Sequence, residues 1–134
     1  MEKNQLRKMV IVFVLAFGFN WIWENLHSNL FIYYKGGVIT PLILMRASLV
    51  DALIIFFIFL VISNLKNINL KLALTILAGV IIAVIIENYG LATNRWVYKE
   101  IMPIIPGLNT GLTPTIQLAL LASITFDVTD RFSN

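Results

Sequence analysis

The chain has 134 residues, of which 59% are hydrophobic and only 13% are charged, and its formal net charge is +3. Soluble domains carry about 25% charged residues, so a mean hydropathy of +0.86 and this charge content exclude a soluble domain, a disordered chain and a nucleic-acid partner. The chain has no cysteine and a single histidine, His27, which excludes disulfides and Cys- or His-rich metal sites. We expect no metal and no cofactor. The composition predicts a polytopic membrane protein.

Four apolar segments follow one another along the chain. Each can cross a hydrocarbon core of about 30 Å as a helix, the structure that satisfies its own backbone groups in lipid. We therefore predict one all-α domain, 1–134, built as a four-helix transmembrane bundle, in which the first segment is retained and not cleaved. The predicted spans are residues 9–27, 40–62, 69–89 and 113–128.

The predicted helix ends carry capping residues. Thr40 and Thr113 each precede a proline, as an N-cap before a first-turn proline does. Asn69 is the predicted N-cap of the third helix, and Gly90 is its predicted C-terminal stop.

The basic residues predict the orientation of the bundle. Cytoplasmic loops carry an excess of Lys and Arg, and the larger group here lies on the side of both termini. We therefore predict cytoplasmic termini, a multi-pass protein of the plasma (inner) membrane, and an interfacial outer loop over residues 91–112. The larger group is Lys3, Arg7, Lys8, Lys66, Lys71 and Arg131, and the smaller is Lys35, Arg46, Arg95 and Lys99.

Few ionisable side chains fall inside the spans, and with this orientation most of them are predicted to lie in the outer half, with Asp51 near the midplane. An ionisable residue there costs about 2.5–3.5 kcal/mol on insertion scales and usually faces the bundle interior. Asp51 is the deepest, and Gln117 lies at a matching depth. The pattern predicts one polar site, formed by Glu24, His27, Arg46, Asp51, Glu87 and Gln117.

Helical spacing places these groups on defined faces. Residues three, four or seven apart share a face, and small residues at four-residue spacing allow close helix packing. The first helix thus has the stripe Asn20, Glu24, His27, and the third has Gly79, Ala83, Glu87.

Glu24 and Glu87 lie at helix C-termini, where the helix dipole is negative. Dipole and burial both disfavour a carboxylate there, so these acids either need cationic partners, for which Arg46 and Arg95 are the candidates, or are partly protonated near neutral pH. A structural ion-pair network of these four residues is one interpretation, with His27 as a hydrogen-bonded tether.

Residues 87–117 contain a late helical Glu, an Arg-Trp-x-Tyr step, a Met-Pro-x-x-Pro-Gly-Leu loop and a Leu-x-Pro helix start followed by Gln. This pattern resembles a group of small four-helix bacterial membrane proteins, and Trp23-Glu24 and Asp51 extend the resemblance over most of the chain. Asn94 stands where that group usually has Gly. The resemblance implies the membrane fold and no particular activity.

The acid before a Gly and the Trp-x-Tyr step are also similar to carotenoid-biosynthesis membrane enzymes of the lycopene-cyclase type. That resemblance implies acid chemistry on an isoprenoid.

The first functional hypothesis is an enzyme that modifies a membrane lipid or isoprenoid by carboxylate acid/base chemistry. Asp51 and Glu87 would be the acid and base, Glu24 a third acid, and residues 103–107 a lid. The predicted substrate-binding residues are Arg46, Arg95, His27, Gln117, Trp96 and Tyr98.

Two alternatives remain open. A small proton-coupled transporter would use Asp51 and would have to form a homodimer, because four spans do not enclose a path. A structural or accessory subunit would use the aromatic outer loops for docking.

Overall fold

The fold is described from a computed structural model, which covers residues 3–34 and 37–133; Lys35, used above for orientation, lies outside them. The chain forms four helices: α1 (Lys3–His27), α2 (Pro41–Ile62), α3 (Ile68–Ala92) and α4 (Leu112–Ser133). All four are long and apolar enough to cross a membrane. The predicted four-helix architecture is confirmed at this level.

The N-cap prediction is correct for α2 and wrong for α3. The Thr40 side chain accepts a hydrogen bond from the backbone N–H of Ile43 at 3.3 Å. The cap of α3 is Asn67, which accepts from the N–H groups of Asn69 and Leu70 at 3.0 and 3.1 Å. Asn69 is therefore inside the first turn, because its neighbour two residues earlier satisfies the free backbone donors.

The helices extend beyond several of the other predicted boundaries. The first helix begins at Lys3 and not at residue 9, and α4 runs from Leu112 to Ser133, beyond the predicted 113–128. Thr113 thus lies in the first turn of α4 and is not its N-cap. Helix α3 continues past Gly90, where a Cβ atom would overlap the Trp96 ring. That glycine therefore makes room for a side chain and does not end the helix.

A two-stranded antiparallel sheet was not predicted. Strand β1 (Phe31–Tyr34) follows α1 through a short 3₁₀ turn, and β2 (Trp96–Tyr98) follows α3. Phe31 pairs with Tyr98, and Tyr34 pairs with Trp96. The two aromatic segments thus pair with each other across one end of the bundle.

The turn before β2 contains Asn94, one of the residues with a positive φ. Asn94 has a φ of 52°, in the left-handed region that asparagine adopts more readily than most residues. Asparagine is therefore a suitable residue at this position of the turn.

The segment expected to be a lid, 103–107, folds on itself beside the sheet. The backbone N–H of Ile105 donates to Thr110 at 2.9 Å, and that of Leu112 donates to Pro103 at 2.7 Å. Met102 is buried beneath it, against Gly111. These contacts hold the segment at the start of α4.

The helices pack mainly as neighbours in sequence. Helix α1 packs on α2 and α4, and α3 packs on α4, whereas α2 and α3 make few direct contacts. At the α3–α4 crossing, a Cβ atom on Gly79 would lie 2.5 Å from the backbone nitrogen of Ala119. The stripe of small residues on α3 therefore faces a neighbouring helix, as its spacing predicts.

The outward surface of the bundle is apolar. Val14, Phe57 and Ile85 each expose about three fifths of their surface, at 61%, 63% and 63%. Apolar patches of this extent are rare on soluble monomers, so the surface fits a lipid environment.

Ion pairs connect three helices at the end of the bundle that carries both chain termini. Asp130 on α4 lies 3.7 Å from the ammonium nitrogen of Lys8 and 3.5 Å from that of Lys71. One carboxylate thus connects α1, α3 and α4 at the end opposite to the sheet.

Candidate functional site: a polar cavity beneath the sheet

Below the sheet, at the end of α1, the start of α2, the end of α3 and the start of α4, lies a cavity of about 540 Å³. This volume falls within the usual range of ligand pockets, about 300–1,000 Å³. Eight of the nine residues proposed from sequence as catalytic or substrate-binding line it, and Tyr98 does not. The eight are Glu24, His27, Arg46, Asp51, Glu87, Arg95, Trp96 and Gln117.

The amide of Gln117 connects three helices at the base of the cavity. Its Nε2 lies 2.9 Å from Asn20 Oδ1, 2.9 Å from Glu24 Oε1 and 2.9 Å from Asp51 Oδ2. An amide nitrogen has two N–H donors, so three acceptors compete for two protons. The structure therefore places Asp51 beside Glu24, with one acceptor in need of a further donor.

His27 is buried in the cavity wall with no hydrogen bond to the described residues. Its Nε2 lies 3.3 Å from Glu24 Oε2, but without hydrogen-bond geometry, and Nδ1 also lacks a partner in the described parts of the chain. The ring packs edge-on against Phe31. The expected tether is thus absent, and an imidazole edge remains available to a ligand.

Glu87 is held by neutral donors. Trp96 Nε1 donates to its Oε2 at 3.2 Å, and the hydroxyl of Tyr98 donates to the same oxygen. The Tyr98 oxygen in turn accepts from the backbone N–H of Gly111 at 3.0 Å. The end of α3, strand β2 and the start of α4 are thus joined through one carboxylate, and Tyr98 acts behind the cavity wall.

The pKa values of two tyrosines in the sheet, Tyr34 and Tyr98, are raised. Burial, and then the hydrogen bond and charge of Glu87, raise the pKa of Tyr98. Burial, followed by the charges of Glu24, Glu87 and Asp51, raises the pKa of Tyr34. Both hydroxyls therefore remain protonated at neutral pH and can donate hydrogen bonds towards the acids.

The two arginines do not neutralise the acids. Among the described residues, neither Arg46 nor Arg95 forms an ion pair; Arg95 donates to the Tyr89 hydroxyl at 3.3 Å and stacks over that ring. The expected ion-pair network with Glu24 and Glu87 is therefore not formed. Hydrogen bonds from Gln117, Trp96 and Tyr98 take its place.

The cavity reaches the outward surface of the bundle between α2 and α3, which make few direct contacts. Ala47 and Val50 line it from α2, and Ile86 and Tyr89 line it from α3. Val50 and Tyr89 are 53% and 55% exposed. A side opening with an apolar rim therefore leads from the outward surface of the bundle to the acids.

Sequence reasoning missed Phe31 and Tyr34 as site residues and placed a lid over the cavity. Both aromatic residues line the cavity from β1, whereas none of residues 103–107 does. The available signal was the β-propensity of the two short aromatic segments. Because neither segment alternates long enough to indicate a strand, their pairing was not predicted.

The Tyr98–Glu87 contact yields a stability prediction. We expect Tyr98→Phe to lower the free energy of unfolding by about 1–2 kcal/mol, since it removes a donor to Glu87 and an acceptor for Gly111. Thermal unfolding in detergent, followed by circular dichroism, measures the loss. Tyr33→Phe is the matched control on the neighbouring strand, because the Tyr33 hydroxyl makes no hydrogen bond to the described residues.

The raised pKa of Tyr98 determines how the stability loss in Tyr98→Phe depends on pH. A tyrosine whose folded pKa is raised contributes stability fully below its unfolded pKa of about 10, and loses it as the pH rises through the folded value. The difference between wild type and Tyr98→Phe should therefore stay constant from about pH 6 to pH 9. A difference that falls within this range would contradict the assigned donor.

The described residues contain no group of three or more His, Asp or Glu side chains that could hold a metal ion.

No protein-family model matches the sequence, and no curated protein or solved structure is detectably similar to it. Function is therefore inferred from the site.

Proposed function

We propose that the protein is inserted in the plasma membrane with both termini in the cytoplasm. The apolar outer surface and the excess of basic residues on the side of the termini support this arrangement. The sheet and the cavity then lie in the outer half of the bilayer, and the cavity opens sideways into lipid.

In this membrane the protein acts as an enzyme on a lipid or isoprenoid, by proton transfer from and to carboxyl groups. The observation that carries the proposal is the contact of Glu24 and Asp51 with one Gln117 nitrogen, inside a cavity that opens between α2 and α3. Acids with a purely structural role would be expected to pair with the two nearby arginines, and they do not.

The two carboxyl groups supply an acid and a base. Gln117 has one donor too few for its three acceptors, and a proton held between Glu24 and Asp51 supplies the missing one. One carboxyl group can then give its proton to a carbon–carbon double bond, while a carboxylate takes a proton from a neighbouring carbon. The product is an isomer of the substrate, so the step needs neither water nor an oxidant. Glu87, which already has two donors, positions Trp96 in the cavity wall.

We expect Asp51→Asn to lower product formation at least about 100-fold, because a positioned acid or base contributes about 10²–10⁴ to the rate. The asparagine keeps the size of the side chain and its contact with Gln117, but it cannot exchange a proton. The measurement is mass spectrometry of lipid extracts from cells that lack the gene and express either wild type or the variant.

Asp127→Asn is the matched control. It makes the same chemical change on α4, where Asp127 is exposed and pairs with Arg131 at 3.0 Å. It should leave the lipid profile unchanged. Identical lipid profiles with and without the gene would contradict the enzyme and favour an accessory subunit, and proton-coupled uptake that is lost in Asp51→Asn would favour the transporter.

A further inference from the structure

The cavity has a charge arrangement that the acid/base proposal does not use. Arg46, which lies in the second turn of α2 and is exposed, and Arg95, which is half-buried, line the cavity together with three acids. Glu24 and Glu87 are buried, at 4% and 7% exposure. By burial, the two cations therefore lie at the rim and the acids lie further inside.

We propose that the cavity binds a single-chain amphiphile with an anionic phosphate-type head group, held between Arg46 and Arg95. This inference rests on the proposed function only for the claim that the bound amphiphile is the substrate. The binding site itself is argued from the cavity.

Both arginines have N–H donors that bind no other described residue. A guanidinium has five N–H donors and binds phosphate oxygens in pairs, and Arg95 uses one on Tyr89. Neither arginine is in an ion pair with the described residues. Two guanidinium groups that line one cavity without a carboxylate partner among the described residues can both bind an anionic head group.

The rim between the arginines and the bundle surface accepts an alkyl chain. Val50 from α2, which is exposed, and Ile86 from α3, which is half-buried, flank the opening with apolar side chains. An amphiphile in the membrane can therefore enter head first, with its chain between the two helices. A cationic head group would have to pass the two guanidinium groups.

A second observation points to a ligand deeper in the cavity. His27 is 7% exposed and lines the cavity. Its Nδ1 has no hydrogen-bond partner among the described residues, and its Nε2 lies 3.3 Å from Glu24 Oε2 without hydrogen-bond geometry. An unsatisfied buried polar group costs free energy, so a polar atom of the ligand supplies the bond that Nδ1 lacks. In the proposed complex this atom is an oxygen of the head group.

The test is a titration of purified full-length protein, in micelles of a neutral detergent, with dodecyl phosphate, followed by native mass spectrometry. We expect one bound dodecyl phosphate per chain, and a loss of affinity of about tenfold or more in Arg46→Gln and in Arg95→Gln, since each removes charged hydrogen bonds. Arg131→Gln, the same change at an exposed site at the other end of the bundle, should bind as wild type does.

Three further probes separate the parts of the ligand. Dodecanol, dodecyltrimethylammonium and inorganic phosphate should each bind at least about tenfold more weakly than dodecyl phosphate. Dodecanol binding as tightly as dodecyl phosphate would overturn the role of the arginines. Inorganic phosphate binding as tightly would overturn the role of the alkyl chain. Tighter binding of dodecyltrimethylammonium would show that the cavity selects cations and not anions.

A substitution at the rim tests whether the side opening is the route to the cavity. Val50→Trp places a large ring at the exposed rim and should slow or weaken dodecyl phosphate binding, again by about tenfold, without loss of the fold. Leu49→Trp is the matched control, because Leu49 is its exposed neighbour on α2 and does not line the cavity. Equal binding by both variants and wild type would overturn the side opening as the route.

Asp51→Asn distinguishes this inference from the proposed function. It should bind dodecyl phosphate within about threefold of wild type while it forms no product. If the arginine variants lose binding but Asp51→Asn leaves the lipid profile intact, the binding site stands and the proposed chemistry fails. If all variants bind equally and Asp51→Asn loses product, the chemistry stands and the anion site fails.

Discussion

Gly79→Ala should destabilise the protein by about 3 kcal/mol, because it adds a methyl group where two helix backbones touch. The new Cβ would lie 2.5 Å from the nitrogen and 2.6 Å from the Cα of Ala119. Backbone atoms cannot move aside as the end of a flexible side chain can, so α3 and α4 must separate. Overpacking of this kind costs about 1–3 kcal/mol, and a clash with the backbone of a neighbouring helix belongs at the upper end.

Gly18→Ala is the matched control for this change. No atom lies within 4 Å of the position where its Cβ would be, so α1 gains only the helix preference of alanine, about 0.5–1 kcal/mol. Thermal unfolding in detergent should therefore shift in opposite directions for the two variants. A similar shift for both would mean that α3 and α4 are not in close backbone contact at Gly79.

Gln117→Leu should cost about 3–5 kcal/mol and abolish whatever activity the cavity supports. Leucine fills a similar volume but removes the donor that Asn20, Glu24 and Asp51 share. Removal of one partner from a buried polar cluster leaves the others without compensation, which is far more costly than the net gain of the original bonds.

Asn88→Leu makes the matched change from an amide to leucine at an exposed position. Its side chain donates to Val84 of the same helix at 2.9 Å, so its loss should alter the unfolding temperature little. Denaturation of both variants in the same detergent measures the difference. Equal stability of Gln117→Leu and Asn88→Leu would show that Gln117 does not connect the three helices.

The helical half of the site was predictable because helices impose short-range geometry. The spacing of Asn20, Glu24 and His27 placed them on one face, and all three are buried at the cavity or beside it. The depth of Asp51 in its span matched that of Gln117, and their side chains are in contact. These relations need only the 3.6-residue period and the order of the spans.

The partners of Glu87 were not predictable from the same signals. Charge complementarity favoured arginine, but the donors come from β2, which follows α3 after a short turn and brings Trp96 and Tyr98 against the helix end. The position of β2 depends on its pairing with β1, more than sixty residues earlier in the chain. Strands of three and four residues carry too little periodicity to indicate such a pairing.

The packing order of the helices has a consequence for biosynthesis. Helices α1 and α2, and helices α3 and α4, are pairs of sequence neighbours that can associate as soon as both members are inserted. The bond between Asn20 and Gln117 joins positions 97 residues apart and forms only when α4 docks on α1. Glu24 and Asp51 are therefore synthesised before the residue that supplies their amide donor. The end of the bundle that carries the cavity is completed only after α4 has been synthesised, so the timing of synthesis, as well as the final stability, decides whether the cavity is built.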